Sequence, residues 1–285
     1  MKSIVFLIQC KDQKGLLAGI TGFFAGRGYN ILHCQQYTDT ENAQYFMRLK
    51  LEDEGQFDHA ELEAAFTTQA NEMALTWSVR YSETLYRVAL LVTKASHCPF
   101  DLLLREYENE LTCDIPLIIG NHPDLEDMAR QFGKPFYHLP ITKDTKQQQE
   151  AQIKALLAEY NIDLVVMARY MQILSEEFVQ EFAGKVINIH HGFLPAFQGA
   201  KPYHQAYERG VKLIGATAHY ATAELDEGPI IEQDVARAQH DDGPADLVMI
   251  GKDVERLVLA RAVKAHIEHR IIISGRRTIV FAEGA

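Results

Sequence analysis

Residues 186–200 read V-I-N-I-H-H-G-F-L-P-A-F-Q-G-A, and residues 219–226 read H-Y-A-T-A-E-L-D. The first stretch is an apolar strand that carries Asn188 and His190 to its end, where Gly192 and Pro195 break the chain. A second apolar run, Leu213 to Tyr220, brings His219, and Asp226 follows seven residues after it. In an extended strand, residues two apart share a face about 6.6 Å apart along it, so Asn188 and His190 project together. An amide, an imidazole and a carboxylate are the set that acyl chemistry needs. The amide can stabilise an oxyanion, the imidazole can assist it or move protons, and the carboxylate can order water. Taken singly, Asn188 also suits a strand end, His190 a satisfied interior histidine, and Asp226 a turn cap. Their combination in this strand context points to chemistry.

Working outward, Val88 to Thr93 is a short apolar run without polar alternation, the pattern of a strand buried on both faces. The following pattern predicts a helix over 99–109, a strand over 115–120 and a helix over 123–132. A short strand at 136–139, a helix over 146–160 and a strand over 163–168 come next. A short helix at 175–183 leads into the Asn188 strand, and a helix over 244–268 with a small strand at 278–281 closes the domain. Strands alternating with helices predict an α/β domain with a Rossmann-like, mostly parallel sheet. Ligands of such sheets bind beyond the carboxyl ends of the strands, where Arg169, Asn188 and His190 all fall.

The first 84 residues follow another plan. Ile4, Phe6 and Ile8 alternate along a strand, and Leu16, Ile20, Phe23 and Phe24 share one side of a helix. Strand patterns at 30–37 and 44–52, a helix at about 57–70 and a strand from Leu75 to Tyr81 complete a βαββαβ order, the ferredoxin-like plan. The predicted domains are therefore 1–84 and 85–285. The loop D12-Q-K-G-L-L-A-G-I resembles that of an ACT domain, a regulatory module. That resemblance makes Asp12, Gly15 and Leu16 candidate contacts for a small amino-acid effector, with Gly15 allowing close backbone approach. A plain tight turn with Asp12 as a helix cap fits the same residues. Side-by-side pairing of two such sheets would make a homo-oligomer, a dimer or tetramer.

Composition sets bounds on partners. Hydrophobic residues at 47% and charged residues at 24% are those of an ordinary globular protein. A net charge of −11 argues against a surface built for nucleic acid. No apolar stretch approaches the ~20 residues that span a bilayer. The start, M-K-S-I-V-F-L-I-Q-C, is too short an apolar run for a signal peptide, so a cytoplasmic location is expected. The cysteines at 10, 34, 98 and 113 form no C-x-x-C and are expected to be reduced thiols.

Five segments carry a resemblance over residues 86–285: S96-H-C, M167-A-R-Y-M-Q-I-L-S175, N188-I-H-H-G-F-L-P-A-F, G199-A-K-P-Y203 and A221-T-A-E-L-D-E-G-P229. Together they resemble the folate-dependent formyltransferase superfamily, and more closely its hydrolase branch, the formyltetrahydrofolate deformylases. The resemblance implies hydrolysis of 10-formyltetrahydrofolate to formate and tetrahydrofolate, supplying formate and balancing one-carbon folate pools for purine synthesis. It implies no cofactor and no metal. Asn188 and His190 would stabilise the oxyanion, and Asp226 would orient and deprotonate water or hold His190 charged. Arg169, Met171, Gln172 and Leu174 would border the folate on one side, and Thr222, Ala223, Glu224 and Leu225 on the other. Ser96, His97, Cys98 and His219 would line the rest of the pocket.

Competing readings use the same residues. His190, His191, His219 and Asp226 are enough ligands for a catalytic zinc, but consecutive His190 and His191 point to opposite faces of a strand. A formyltransferase with another acceptor is a second reading. The purine-pathway formyltransferase of this fold has a glycine-rich phosphate turn, and T93-K-A-S-H-C lacks glycine, which leaves water as the acceptor. An amino-acid-sensing binding protein with a relic folate site is a third. Gly192 stands where the deformylase motif usually has serine.

Overall fold

Packing in the first unit follows from alternation along its strands. The computed structural model describes residues 2–55, 58–142, 144–195 and 202–283, so position 57 and the motif positions 196, 197 and 199–201 lie outside the described residues. The elements are β1 (Ser3–Lys11), α1 (Leu16–Ala25), β2 (Ile31–Asp39), β3 (Gln44–Glu52), α2 (His59–Glu72) and β4 (Thr76–Tyr81). They form an antiparallel sheet in the order β2-β3-β1-β4. Ile4, Phe6 and Ile8 of β1 and Met47, Leu49 and Leu51 of β3 face the helices. The Phe6 ring lies 4.9 Å from that of Phe24 and 5.0 Å from that of Phe66. Asp58 caps α2 by accepting from the N–H groups of Ala60 and Glu61. Asp12 does not cap α1: that position belongs to Gly15, at φ +89°, a left-handed conformation natural to glycine. Leu16 is buried in the core.

The other face of this sheet is also covered. Leu7 and Phe46 pack with Ile272 and Phe281, and buried Arg48 donates Nε–H to the His269 carbonyl and Nη2–H to that of Glu268. Glu268–Ser274 and the run from Ile279 therefore group with the first unit, whereas the sequence pattern puts everything after 84 in the second. The first break between the units falls after Leu85.

The second unit contains β5 (Tyr86–Val92), α3 (His97–Tyr107), β6 (Cys113–Gly120), α4 (Glu126–Gln131), β7 (Phe136–His138), α5 (Lys146–Glu159), β8 (Leu164–Met167) and α6 (Glu176–Glu181). β9 (Val186–His190), α7 (Pro202–Glu208), β10 (Leu213–Tyr220), β11 (Ile230–Arg237) and α8 (Pro244–Ile267) follow. A hairpin of β12 (Ile271–Ser274) and β13 (Arg277–Val280) closes the chain. The large sheet has the order β11-β10-β9-β8-β5-β6-β7. It is parallel from β9 to β7, and antiparallel where β10 joins β9 and β11. Ala89, Leu91, Val165 and Met167 on its strands pack on Ile153, Leu157 and Phe178. The chain moves outward from β5 to β7 and then returns to β8 on the other side of β5. This reversal is the switch point at which open α/β sheets bind ligands. Among the described residues, no helix is long and apolar enough to cross a membrane.

Candidate active site

Beyond the ends of β8 and β9, on one side of the switch point, lies a cleft of about 300 Å³ that His219 and the loop after β10 also line. β9 and β10 pair so that His219 lies opposite Asn188 and Thr217 opposite His190, which puts all four on one face. Asn188 Nδ2 lies 3.2 Å from His219 Nε2, while His219 Nδ1 lies 3.0 Å from the Tyr220 carbonyl. A neutral His219 that gives Nδ1–H to the carbonyl accepts one Asn188 N–H, and the other amide hydrogen remains for a ligand. Asp226, in left-handed backbone at φ 58°, faces His190 Nδ1 at 3.1 Å and His219 Nε2 at 3.7 Å. Burial works against its ionisation. The hydrogen bond from His190 Nδ1, with the His219 ring close by, outweighs burial and holds the carboxyl well below the usual range. His190 is buried, and its Nε2 has no hydrogen-bond partner among the described residues.

The turn after Asp226 depends on Gly228. A Cβ there would lie 1.7 Å from the Tyr220 carbonyl oxygen, so only glycine brings the 221–226 loop back over the strand ends. Thr217 fixes the loop after β9, donating to the Gly192 carbonyl at 3.0 Å and accepting from Leu194 N–H at 3.1 Å. Gln233 on β11 adds bonds to Thr217 and to the Leu194 carbonyl. Neither residue is visible in the sequence pattern, because their value comes from strand register.

The cleft walls include Arg169, Met171, Gln172 and Leu174 on one side and Thr222, Glu224 and Leu225 on the other. Ala223 lies in the same loop but outside the lining. Met171 and Leu225 expose about half their surface, at 54% and 56%, as flanks for a flat ring would. Thr93 accepts from Met171 N–H at 3.0 Å, and Glu150 accepts from Ser175 N–H at 2.8 Å, so the 169–175 segment is pinned at both ends.

Ser96, His97 and Cys98 do not line this cleft. Ser96 begins α3 without a side-chain capping bond, and Cys98 is buried, its thiol pushed up by burial. His97 Nε2 lies 2.7 Å from Glu255 on α8, and Tyr203 donates to the same carboxylate at 2.6 Å. Arg169 Nη1 approaches it at 3.5 Å. Burial opposes ionisation of Glu255, but His97, Arg169 and Tyr203 hold its carboxyl below its usual range. Tyr203 ends the quoted segment G199-A-K-P-Y203, whereas Glu255 has no signal in the sequence beyond being one acid on a largely apolar face of a long helix. His97, Cys98 and Glu255 bring ligand-type atoms within 4.8 Å of one another. A guanidinium against the carboxylate and a thiol kept protonated do not favour a cation there. His191 is neutral, lowered to about 4 by burial and then by the Arg169 charge.

A mostly parallel sheet carrying an Asn-x-His strand and a following aspartate that meets its histidine defines a formyl transferase domain. The formyl transferase profile matches residues 86–263, and the ACT domain profile matches residues 4–63. A formyltetrahydrofolate deformylase of Synechocystis sp. is 52% identical over 97% of this chain and 97% of its own. That of Bacillus subtilis is 43% identical over 96% of this chain and 92% of its own. The crystal structure of a formyltetrahydrofolate deformylase from Pseudomonas syringae pv. tomato matches with a TM-score of 0.96 and 43% identity, over 99% of this chain and 95% of that one. The chain belongs to the formyltetrahydrofolate deformylase family.

Proposed function

We propose that the second unit hydrolyses 10-formyltetrahydrofolate to formate and tetrahydrofolate. The observation that carries this reading is the buried Nε2 of His190, without a hydrogen-bond partner among the described residues, on the same strand face as the Asn188 amide, with Nδ1 fixed on Asp226. Water attacks the formyl carbon and charge builds on the formyl oxygen. Asn188 donates its unused N–H to that oxygen. With a proton on each nitrogen, His190 gives Nδ1–H to Asp226 and Nε2–H to the oxyanion. Asp226 Oδ1, which lies 3.7 Å from His219 Nε2, aligns the water. The carbon–nitrogen bond then breaks. The water oxygen stays in formate, one water proton ends on the leaving amine, and the other is released as formate ionises.

Water as acceptor is supported by the engagement of His97 with buried Glu255, the burial of Cys98 and the glycine-free turn at 93–98. Purified protein with 10-formyltetrahydrofolate and no amine acceptor should release formate without added metal or cofactor. Tetrahydrofolate production that requires an amine acceptor would favour the transferase reading. The first unit would bind a small amino acid at Asp12 and Gly15 and regulate this reaction within a cytoplasmic homo-oligomer. Isothermal titration with a panel of small amino acids tests the effector, and sedimentation tests the oligomer.

A further inference from the structure

Arg169 is a costly residue that the chemistry above leaves unused. It follows β8 in left-handed backbone, at φ 64°, a region that disfavours any residue with a Cβ. Its side chain is 17% exposed and lines the cleft with Asn188 and His190. Its Nε and Nη1 are buried and have no hydrogen-bond partner among the described residues. At 3.5 Å the contact with Glu255 is an ion pair, longer than a good hydrogen bond. Glu255 is 1% exposed and already takes direct hydrogen bonds from His97 and Tyr203. Tyr203 reaches it only because Gly251, one turn earlier on α8, has no side chain; a Cβ there would lie 2.2 Å from the tyrosine ring. The carboxylate therefore fixes Arg169 by charge and leaves its donors unspent.

The reaction makes an anion in the cleft that Arg169 lines. The formyl group is neutral, whereas formate spreads a full negative charge over two oxygens, the shape and charge a guanidinium prefers. Neutral His191 does not compete for it. We propose that Arg169 is a formate-binding residue that receives the one-carbon product as it leaves the folate nitrogen. Glu255 aims it and competes with formate for its charge, so the product is held weakly and released. This inference rests on the hydrolase reading of the site.

The test is inhibition of the full-length enzyme by sodium formate, with sodium chloride at matched ionic strength as control. An anion of three heavy atoms binds no tighter than about millimolar, so the series runs through the millimolar range. Formate should inhibit the wild type where chloride does not. Arg169→Gln should raise the formate inhibition constant about tenfold or more, the loss of one charge-assisted partner. Glu255→Gln keeps the shape and one of the two accepted hydrogen bonds, removes the charge that holds the guanidinium, and should lower that constant several-fold. Opposite shifts in the two variants are something general loosening of the site would not give. Arg169→Gly suits the left-handed backbone and must behave as Arg169→Gln does, which separates charge loss from misfolding. Equal formate inhibition in wild type and both Arg169 variants overturns the proposal. If the wild type releases no formate from 10-formyltetrahydrofolate, the hydrolase reading fails instead, and calorimetric titration of formate into the resting protein then decides whether Arg169 binds the anion.

Discussion

Replacing Asp226 by asparagine removes a charge while keeping size. The carboxylate now accepts from His190 Nδ1 at 3.1 Å in a site where the two side chains are 8% and 5% exposed. A buried charge-assisted hydrogen bond contributes about 1.5–3 kcal/mol, and breaking one side of a buried pair costs about 3–5 kcal/mol. At about 1.4 kcal/mol per decade, kcat should fall roughly 10²–10³-fold. The asparagine can also turn its NH2 toward His190 and force the wrong tautomer, an effect that cost about 10⁴-fold in a serine protease triad and moves the expectation upward. The loss should lie in kcat, because the Asp226 charge acts on His190 and water as the formyl oxygen gains charge. The assay is formate release at varied substrate, with tetrahydrofolate binding titrated separately. A variant that keeps wild-type kcat, or one whose whole defect is in folate binding, would refute the assignment.

Asn188→Ala should lower kcat about 10²–10³-fold by deleting one oxyanion donor, with folate binding retained in the same titration. Acid should remove the advantage of Asp226. Its folded carboxyl lies below its unfolded value of about 3.9, so the stability it provides is present above that value and lost as pH falls through the folded one. The melting-temperature gap between wild type and Asp226→Asn should therefore shrink between neutral pH and pH ~3, and a constant gap would contradict the linkage. Gly251→Ala pushes a methyl into Tyr203 and should destabilise by about 1–3 kcal/mol, read as a melting-point drop of several degrees. Dialysis against a chelator should leave full activity; stoichiometric zinc whose removal abolishes turnover would instead revive the metal-hydrolase reading.

Elements with strong local patterns were legible in the chain. β1, β5 and β9 announce themselves by alternation or by unbroken apolar runs, and the Asn188/His190 pair follows from strand periodicity alone. β11 was missed because it is an edge strand, Ile230–Arg237, with the polar run Glu232, Gln233 and Asp234 at its middle and little apolar alternation. The burial of Leu7 and Phe46 was missed because it depends on residues more than 200 positions away along the chain.

The sequence by itself determined the two-part architecture, the parallel sheet, and the types of group available at the strand ends. These depend on local hydrophobic period and turn chemistry, which neighbouring residues set. Only the tertiary structure decided which polar groups meet. Register places His219 against Asn188, and a left-handed residue swings Asp226 onto His190. A glycine on α8 lets Tyr203 reach Glu255, so that His97 closes on that carboxylate and Arg169 is aimed by it. Those contacts join segments separated by dozens of residues. Their strength comes from burial and geometry, which exist only once the sheet and helices have packed.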